Sequence, residues 1–171
     1  MACCGRCGRW LPVLFVVALI GWCYVVFTID ILLPYMNSAQ EQLRAYGLGC
    51  TIAFNALFAL AMLCFVRTVY TDPGSIPDSW IVVHDAEGND LMPPVVAQYS
   101  AFEVKEDGSR RVCRKSKPSV FKPDRAHFCR VISRCVLKMD HFCPWINNCI
   151  GFFNHKFFVL FIFYTGETAP R

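Results

Sequence analysis

The chain of 171 residues is long enough for one medium-sized domain, or for a few membrane spans with a small soluble module. Hydrophobic residues make up 55% of it and charged residues only 18%, which excludes the composition of an ordinary soluble domain. The net charge of +4 is modest and does not favour a nucleic-acid-binding protein, although 12 of the 17 Lys and Arg residues lie between Lys105 and Lys156.

Eleven cysteines, an odd number, would fit a disulfide-rich secreted scaffold, but their placement favours free thiols. Five lie between Cys113 and Cys149 among His, Lys and Arg residues, where chemistry or metal binding is the better explanation. The other six lie at the N-terminus or inside apolar runs: Cys3, Cys4, Cys7, Cys23, Cys50 and Cys64. The first three are candidates for acylated juxtamembrane cysteines, with unmodified small residues as the alternative.

The first apolar run, residues 11–33, contains a single charge, Asp30, and predicts a transmembrane helix. A secretory signal peptide is the alternative, but the run is longer than a usual signal sequence and no small-residue cleavage site follows directly. We expect Asp30 to lie at the far membrane interface, because an unpaired carboxylate in hydrocarbon is costly.

A second uncharged run of spanning length covers residues 46–66, and its one amide side chain, Asn55, is expected to hydrogen-bond to another helix. The basic residues Arg6, Arg9 and Arg67 flank the two runs on one side, which predicts that both ends of the pair face the cytosol. Residues 1–10 are then a cytosolic arm, and residues 34–45 are a lumenal loop.

Residues 67–156 form a cytosolic segment of domain size that begins with the turn-rich stretch Asp72-Pro73-Gly74 and continues as short extended pieces. Residues 157–171 open a third apolar run, which we interpret as the truncated start of a third transmembrane helix. The expected fold class is therefore an α-helical multi-pass membrane protein. It has two full transmembrane helices, a cytosolic cysteine-rich module of short strands and loops, and the start of a third helix.

Asp140 and His141 stand immediately before Phe142 and Cys143, so a carboxylate, an imidazole and a thiol lie within four residues. A neighbouring His activates a thiol by accepting its proton, and an acidic residue orients the ring. The alternative is that Cys143 is a metal ligand or a small buried residue, and the spacing alone does not separate the two.

The stretches KPDRAHFC and CVLKMDHFCPWINNCIGFFNHKFF resemble the signature of the DHHC (Asp-His-His-Cys) protein S-acyltransferases, or palmitoyltransferases. The family pattern runs Cys-x2-Cys, Lys-Pro-x-Arg, His-His-Cys, x2-Cys, x2-Cys, Asp-His-His-Cys-Pro-Trp, Asn-Cys-x-Gly and a later Asn. The layout also matches, with two apolar runs, an Asp-Pro-Gly after the second, the cysteine-rich domain at 113–155 and a third run. The family's later spans lie beyond Arg171, which predicts a fragment or a truncated product.

The resemblance implies a two-step transfer of a long-chain fatty acyl group from acyl-CoA (palmitoyl-CoA) to cysteines of membrane-associated proteins. Cys143 would carry the acyl group as a thioester, His141 would be its base, and Asp140 would orient the imidazole. Trp145 suits the membrane interface near the acyl chain. The basic residues between Lys115 and Arg134 would meet either the phosphates of coenzyme A or an anionic leaflet.

The implied partners are protein substrates with membrane-proximal cysteines and the lipid bilayer, with no nucleic acid. The implied location is the Golgi, the endoplasmic reticulum or the plasma membrane, with the signature facing the cytosol. A catalytically inactive membrane adaptor, or a remnant of such an enzyme, is the alternative. An adaptor has no need of the retained Asp140, His141 and Cys143, which favours the enzyme.

The family binds two structural zinc ions through six Cys and two His, and this chain departs from that pattern. Four ligand positions carry other residues: Ser116, Phe128, Ile132 and Phe142. One site keeps Cys113 and Cys135, and the other keeps Cys129 and Cys149. Three explanations compete: a rearranged site that recruits His127 or His141, a metal-free core, or a degenerate gene. Apolar rather than polar replacements favour the metal-free core.

Overall fold

The computed structural model describes residues 8–98 and 103–168. The chain divides into two compact units. The first comprises the residues up to Tyr70 together with Pro144–Asn147 and the segment from Lys156 onward, and the second comprises Thr71–Cys143 and Asn148–His155. The predicted acylation of Cys3, Cys4 and Cys7 falls outside the described residues.

Two long helices dominate the first unit. Helix α1 covers Gly8–Met36, opening with a 3-10 turn and containing a π-helical stretch at Phe27–Leu32, and helix α2 covers Glu41–Tyr70. Both are long and apolar enough to cross a membrane. They contain the runs predicted at 11–33 and 46–66.

The turn between the two helices is much shorter than the predicted loop at 34–45, because both helices continue beyond their apolar runs. Helix α1 continues past Pro34, because the preceding π-helical stretch accommodates a residue that lacks an N–H. Helix α2 begins at Glu41, in a polar stretch of good helix formers that a search for apolar runs does not count. The connecting residues are therefore only 37–40.

Side-chain contacts hold α1 and α2 together. The Tyr24 hydroxyl donates a hydrogen bond of 2.8 Å to Asn55 Oδ1, which confirms the prediction that Asn55 bonds to another helix. Near the connector the helices touch so closely that a Cβ on Gly47 would lie 2.7 Å from the Tyr35 Cβ. A shorter helix, α3, covers His155–Thr168, and its Phe161 ring lies 5.2 Å from that of Phe65 on α2. The predicted start of a third helix is thus helical.

The described part of the second unit contains four antiparallel hairpins, which agrees with the prediction of short strands and loops. Each hairpin joins two consecutive strands: β1 (Val83–His84) with β2 (Asp90–Leu91), β3 (Val112–Cys113) with β4 (Val120–Phe121), β5 (His127–Cys129) with β6 (Arg134–Val136), and β7 (Phe142–Cys143) with β8 (Asn148–Cys149). A 3-10 turn at Asp78–Trp80 and one helical turn at Pro94–Ala97 complete the unit. Such short hairpins are not stable alone, so packing between them must hold the unit together.

Candidate active site

Cys143 lies at the end of β7 and is 7% exposed. Across the hairpin it stands opposite Asn148, and Phe142 stands opposite Cys149. In the turn that follows, the Asn147 N–H donates to the Pro144 carbonyl at 3.2 Å, and Asn147 adopts φ +53°, a conformation that Asn tolerates better than most residues.

The backbone fixes Asp140 and His141 beside the same hairpin. The Asp140 N–H donates to the Ile150 carbonyl at 2.9 Å, and the Ile150 N–H donates to the His141 carbonyl at 2.8 Å. The Asp140–His141 pair therefore lies immediately before β7, the strand that ends at Cys143.

The side chains of Asp140 and His141 are paired. His141 Nδ1 lies 3.1 Å from Asp140 Oδ2, and because a carboxylate only accepts, Nδ1 carries the proton. The unprotonated position of a neutral ring is then Nε2, the atom that can accept a proton from a thiol. Both side chains are substantially exposed, at 44% for His141 and 55% for Asp140, so both are accessible to solvent.

The stretch Asp72-Pro73-Gly74, predicted only as a turn, is tied to the signature. Asp72 accepts a 2.8 Å bond from the Gly74 N–H and a 2.5 Å bond from Arg134, which also donates to Ser75. Partial burial works to raise the pKa of Asp72, but the bonds from Arg134 and Gly74 outweigh it and hold that pKa below its usual value. The local Asx turn could be recognised from the sequence, but its partner Arg134 could not.

Asn154 is a buried structural residue beside the site, and its role was not predicted from the sequence. It is fully buried, its Oδ1 accepts a 2.8 Å bond from the Gly151 N–H, and its Nδ2 donates a 2.8 Å bond to the Cys149 carbonyl. Asn154 therefore fixes the turn that leaves the Cys149 strand. The only sequence signal for it was the later Asn in the family pattern.

The four cysteines at retained zinc positions form two buried pairs. Cys113 neighbours Cys135, and Cys129 neighbours Cys149. Burial, and next the bond to the partner thiol, raise the pKa of Cys135 to about 12, and the same causes raise the pKa of Cys149 to about 12. Both residues are consequently neutral thiols at physiological pH.

Each cysteine pair belongs to a separate apolar cluster. The apolar residues at the lost zinc-ligand positions are divided between the same two clusters. In the Cys113–Cys135 core, Phe128 packs against the buried residues. In the Cys129–Cys149 core, Ile132 and Phe142 do so. The fourth substituted position, Ser116, is half-buried.

The donor set does not fit structural zinc, which needs four tetrahedral ligands. Among residues 8–98 and 103–168, no group of three or more His, Cys, Asp or Glu side chains is placed to hold a metal ion. His127 and His141 are exposed, and among the described residues neither is placed in such a group with a cysteine pair.

The first unit contains Trp145, the residue predicted to lie near an acyl chain, and an apolar cavity. Trp145 is 53% exposed, and its ring lies 6.2 Å from that of Phe15 on α1. An apolar cavity of about 480 Å³ is lined by α1, α2 and Thr165 of α3, with Tyr24, Phe54 and Phe58 on its wall. A site of this size and lining is suited to an apolar ligand.

Residues 106–168 match the protein-family model described as DHHC palmitoyltransferase. Palmitoyltransferase ZDHHC2 from Homo sapiens is 32% identical over 173 residues, covering 95% of this chain and 45% of that protein. Palmitoyltransferase ZDHHC20 from Mus musculus is 31% identical, with coverage of 95% and 45%. Palmitoyltransferase PFA3 from Gibberella zeae is 38% identical, with coverage of 96% and 27%.

The chain belongs to the DHHC palmitoyltransferase family, which confirms the resemblance of its signature. It spans less than half the length of these three relatives. It has two helices long and apolar enough to cross a membrane, together with a cysteine-rich domain.

Proposed function

We propose that this chain is a protein S-palmitoyltransferase in which Cys143 carries the fatty acyl group. The observation that carries the proposal is the Asp140–His141 hydrogen bond of 3.1 Å, which lies immediately before the strand that ends in Cys143. An oriented imidazole beside a thiol is the arrangement that activates a cysteine nucleophile. The family membership and the names of the relatives support the same chemistry.

In the first step His141 Nε2 takes the Cys143 proton, and the thiolate attacks the thioester carbonyl of a long-chain acyl-CoA. The carbon–sulfur bond to coenzyme A breaks, and its thiolate takes the proton from the imidazolium. In the second step the thiol of a substrate cysteine attacks the Cys143 thioester, and Cys143 leaves as a thiol. Exchange of one thioester for another changes the free energy little. The protein therefore mainly positions the reacting groups and stabilises the oxyanion.

The acyl chain is proposed to lie in the apolar cavity of about 480 Å³ in the first unit, with Trp145 near its cytosolic end. The cavity suits a fatty acyl chain because its wall consists mainly of apolar and aromatic side chains. The basic residues between Lys115 and Arg134 are proposed to face the anionic leaflet or the phosphates of coenzyme A.

The proposed topology is multi-pass, with α1 and α2 crossing the bilayer and both ends of the pair in the cytosol. Arg9 and Arg67 lie at the same end of the pair, which supports this orientation. A compartment-specific reporter at Ser38 should then be lumenal, and one at Gly108 cytosolic. A cytosolic Ser38 would contradict the orientation and with it the cytosolic placement of the signature, which is proposed for a Golgi, endoplasmic reticulum or plasma membrane protein.

The proposed substrates are proteins with membrane-proximal cysteines, since a site at the cytosolic surface reaches only thiols held close to it. The test is incubation of the full chain, with Cys3, Cys4 and Cys7 changed to Ser, with labelled palmitoyl-CoA. A hydroxylamine-sensitive label should appear, should be lost in Cys143→Ser, and should survive in Cys50→Ser. A folded chain that takes no label, or keeps it in Cys143→Ser, would instead support a non-catalytic adaptor.

A further inference from the structure

The two thiol cores correspond to the two halves of the departure from the zinc-binding pattern at every substituted position except Ser116. The Cys113–Cys135 core contains the two cysteines that one zinc site would keep, and Phe128 at a position that it has lost. The Cys129–Cys149 core contains the cysteines of the other site, with Ile132 and Phe142 at its two lost positions. The apolar replacements therefore lie where they can pack around the remaining thiols.

We propose that the cysteine-rich module of this chain folds without metal, and that these two apolar cores take the structural role of two zinc centres. The proposal concerns folding and holds whether or not Cys143 carries an acyl group.

The contacts and burial of the four cysteine thiols support a metal-free interior. Each buried thiol has a polar neighbour in the other thiol of its pair, so neither cysteine pair is isolated among apolar side chains. Cysteine otherwise behaves as a small hydrophobic residue and packs well in an apolar core. The relative exposures of the four cysteines are only 3%, 3%, 2% and 0% for Cys113, Cys135, Cys129 and Cys149.

Neither core could complete the coordination of a zinc ion with protein ligands. Two protein ligands leave two coordination positions to water, and both waters would have to enter an interior lined by Phe, Ile and Val. Burying polar groups against apolar side chains is costly unless they are hydrogen-bonded. The apolar side chains favour a dry interior, because removing their surface from water drives folding.

Phe142 has a second consequence, because it is adjacent to Cys143 on β7. It stands opposite Cys149 and packs against the Cys129–Cys149 core, so the strand that carries Cys143 is anchored by apolar contacts. In the family pattern this position is a histidine that binds zinc. Phe142 is therefore a positioning residue that replaces a metal bond with side-chain packing.

The direct test is elemental analysis of the full chain, purified in detergent without added chelator, together with its thermal unfolding. We expect well under one zinc ion per chain, and a melting temperature that a strong chelator leaves unchanged. A content near one or two zinc ions, with a melting temperature that falls when chelator removes them, would overturn the proposal.

Repaired variants supply the matched control. Ser116→Cys with Phe128→His restores the ligands of one site, and Ile132→Cys with Phe142→His restores those of the other. Each pair should gain about one zinc ion and make the melting temperature sensitive to chelator. Repaired chains that fold but take no zinc would contradict the correspondence between the cores and the zinc centres.

A further variant covers the case in which the repaired chains do not fold. Changing Cys113 and Cys135 together to Ala keeps that core apolar and removes any thiolate. A metal-free core predicts a decrease of only a few degrees in melting temperature, no larger after chelator treatment. Loss of the cooperative transition, matching that of chelator-treated unmodified chain, would overturn the proposal.

Discussion

Gly151 lies so close to Pro73 that a Cβ at this position would be 2.6 Å from the Pro73 carbonyl oxygen. The same Cβ would also lie 2.6 Å from Val136 Cγ1 on β6. Glycine is therefore required where the Asp72-Pro73-Gly74 turn meets the strands of the signature, since a backbone oxygen cannot move aside as a flexible side chain can.

The first prediction is that Gly151→Ala destabilises the second unit by about 1–3 kcal/mol, as over-packing of a tight site does. Thermal unfolding followed by tryptophan fluorescence would measure it. Gly49→Ala is the control, because nothing lies within 4 Å of its Cβ and it sits inside α2. Equal melting temperatures for both variants would show that the Gly151 contact is relaxed in solution.

The second prediction concerns the pH dependence of the Asp72–Arg134 pair. Since the pKa of Asp72 is lowered in the folded chain, its contribution is present above the unfolded value of about 4. That contribution is lost as the pH falls through the lower folded pKa. The Asp72 side chain is 56% exposed, so solvent screening keeps the contribution below about 1 kcal/mol.

Asp72→Asn should accordingly reduce the free energy of unfolding at pH 6 and flatten its decrease between pH 5 and pH 3. Asp107→Asn is a suitable comparison, because Asp107 also has a lowered pKa but bonds only within its own turn at Ser109. A profile for Asp72→Asn that superposes on that of the unmodified chain would show that the pair contributes nothing measurable.

The third prediction is that the Tyr24–Asn55 bond stabilises the pairing of α1 and α2. Hydrogen bonds between membrane helices contribute about 0.6 kcal/mol on average, so Tyr24→Phe and Asn55→Leu should each destabilise the chain by about that amount. In a double-mutant cycle the combined variant should cost less than the sum. Strict additivity in detergent unfolding would mean that the two side chains do not interact.

The long helices were predictable because an apolar run of spanning length is a strong signal, whereas their ends were not. An apolar run marks the part of a helix that can lie in lipid. The helix itself extends beyond that run wherever backbone hydrogen bonds can continue, and α2 accordingly begins at Glu41. The hairpins of the second unit were expected only as short extended pieces. Strands of two or three residues are too short to show an alternating pattern, so their register could not be predicted.

The site shows the same division between local and long-range information. Asp140, His141 and Cys143 could be recognised because they lie within four residues. The bond between Asp72 and Arg134 joins residues 62 positions apart, and no local sequence pattern predicts it. The division of Phe128, Ile132 and Phe142 between two cores likewise depends on packing, which a single sequence does not display.

The last prediction separates the roles of His141 and Asp140 in loading Cys143, and it rests on the proposed acyltransferase function. His141→Ala removes the proton acceptor and should slow loading from labelled palmitoyl-CoA by roughly 10²–10⁴-fold, the usual contribution of a general base. Asp140→Asn should slow it less, because the imidazole remains and loses only the partner that orients it. His127→Ala, which changes another exposed histidine of the same unit, should load at the unmodified rate.

A structural role for His141 would predict a different result, and the pH profile distinguishes the two. Without its base, Cys143 loads only through the thiolate that forms spontaneously, so a higher pH should restore part of the loading lost in His141→Ala. The unmodified chain has the imidazole to accept the proton and should gain less from the higher pH. Equal slowing at every pH, with a lowered melting temperature, would assign His141 to folding instead of catalysis.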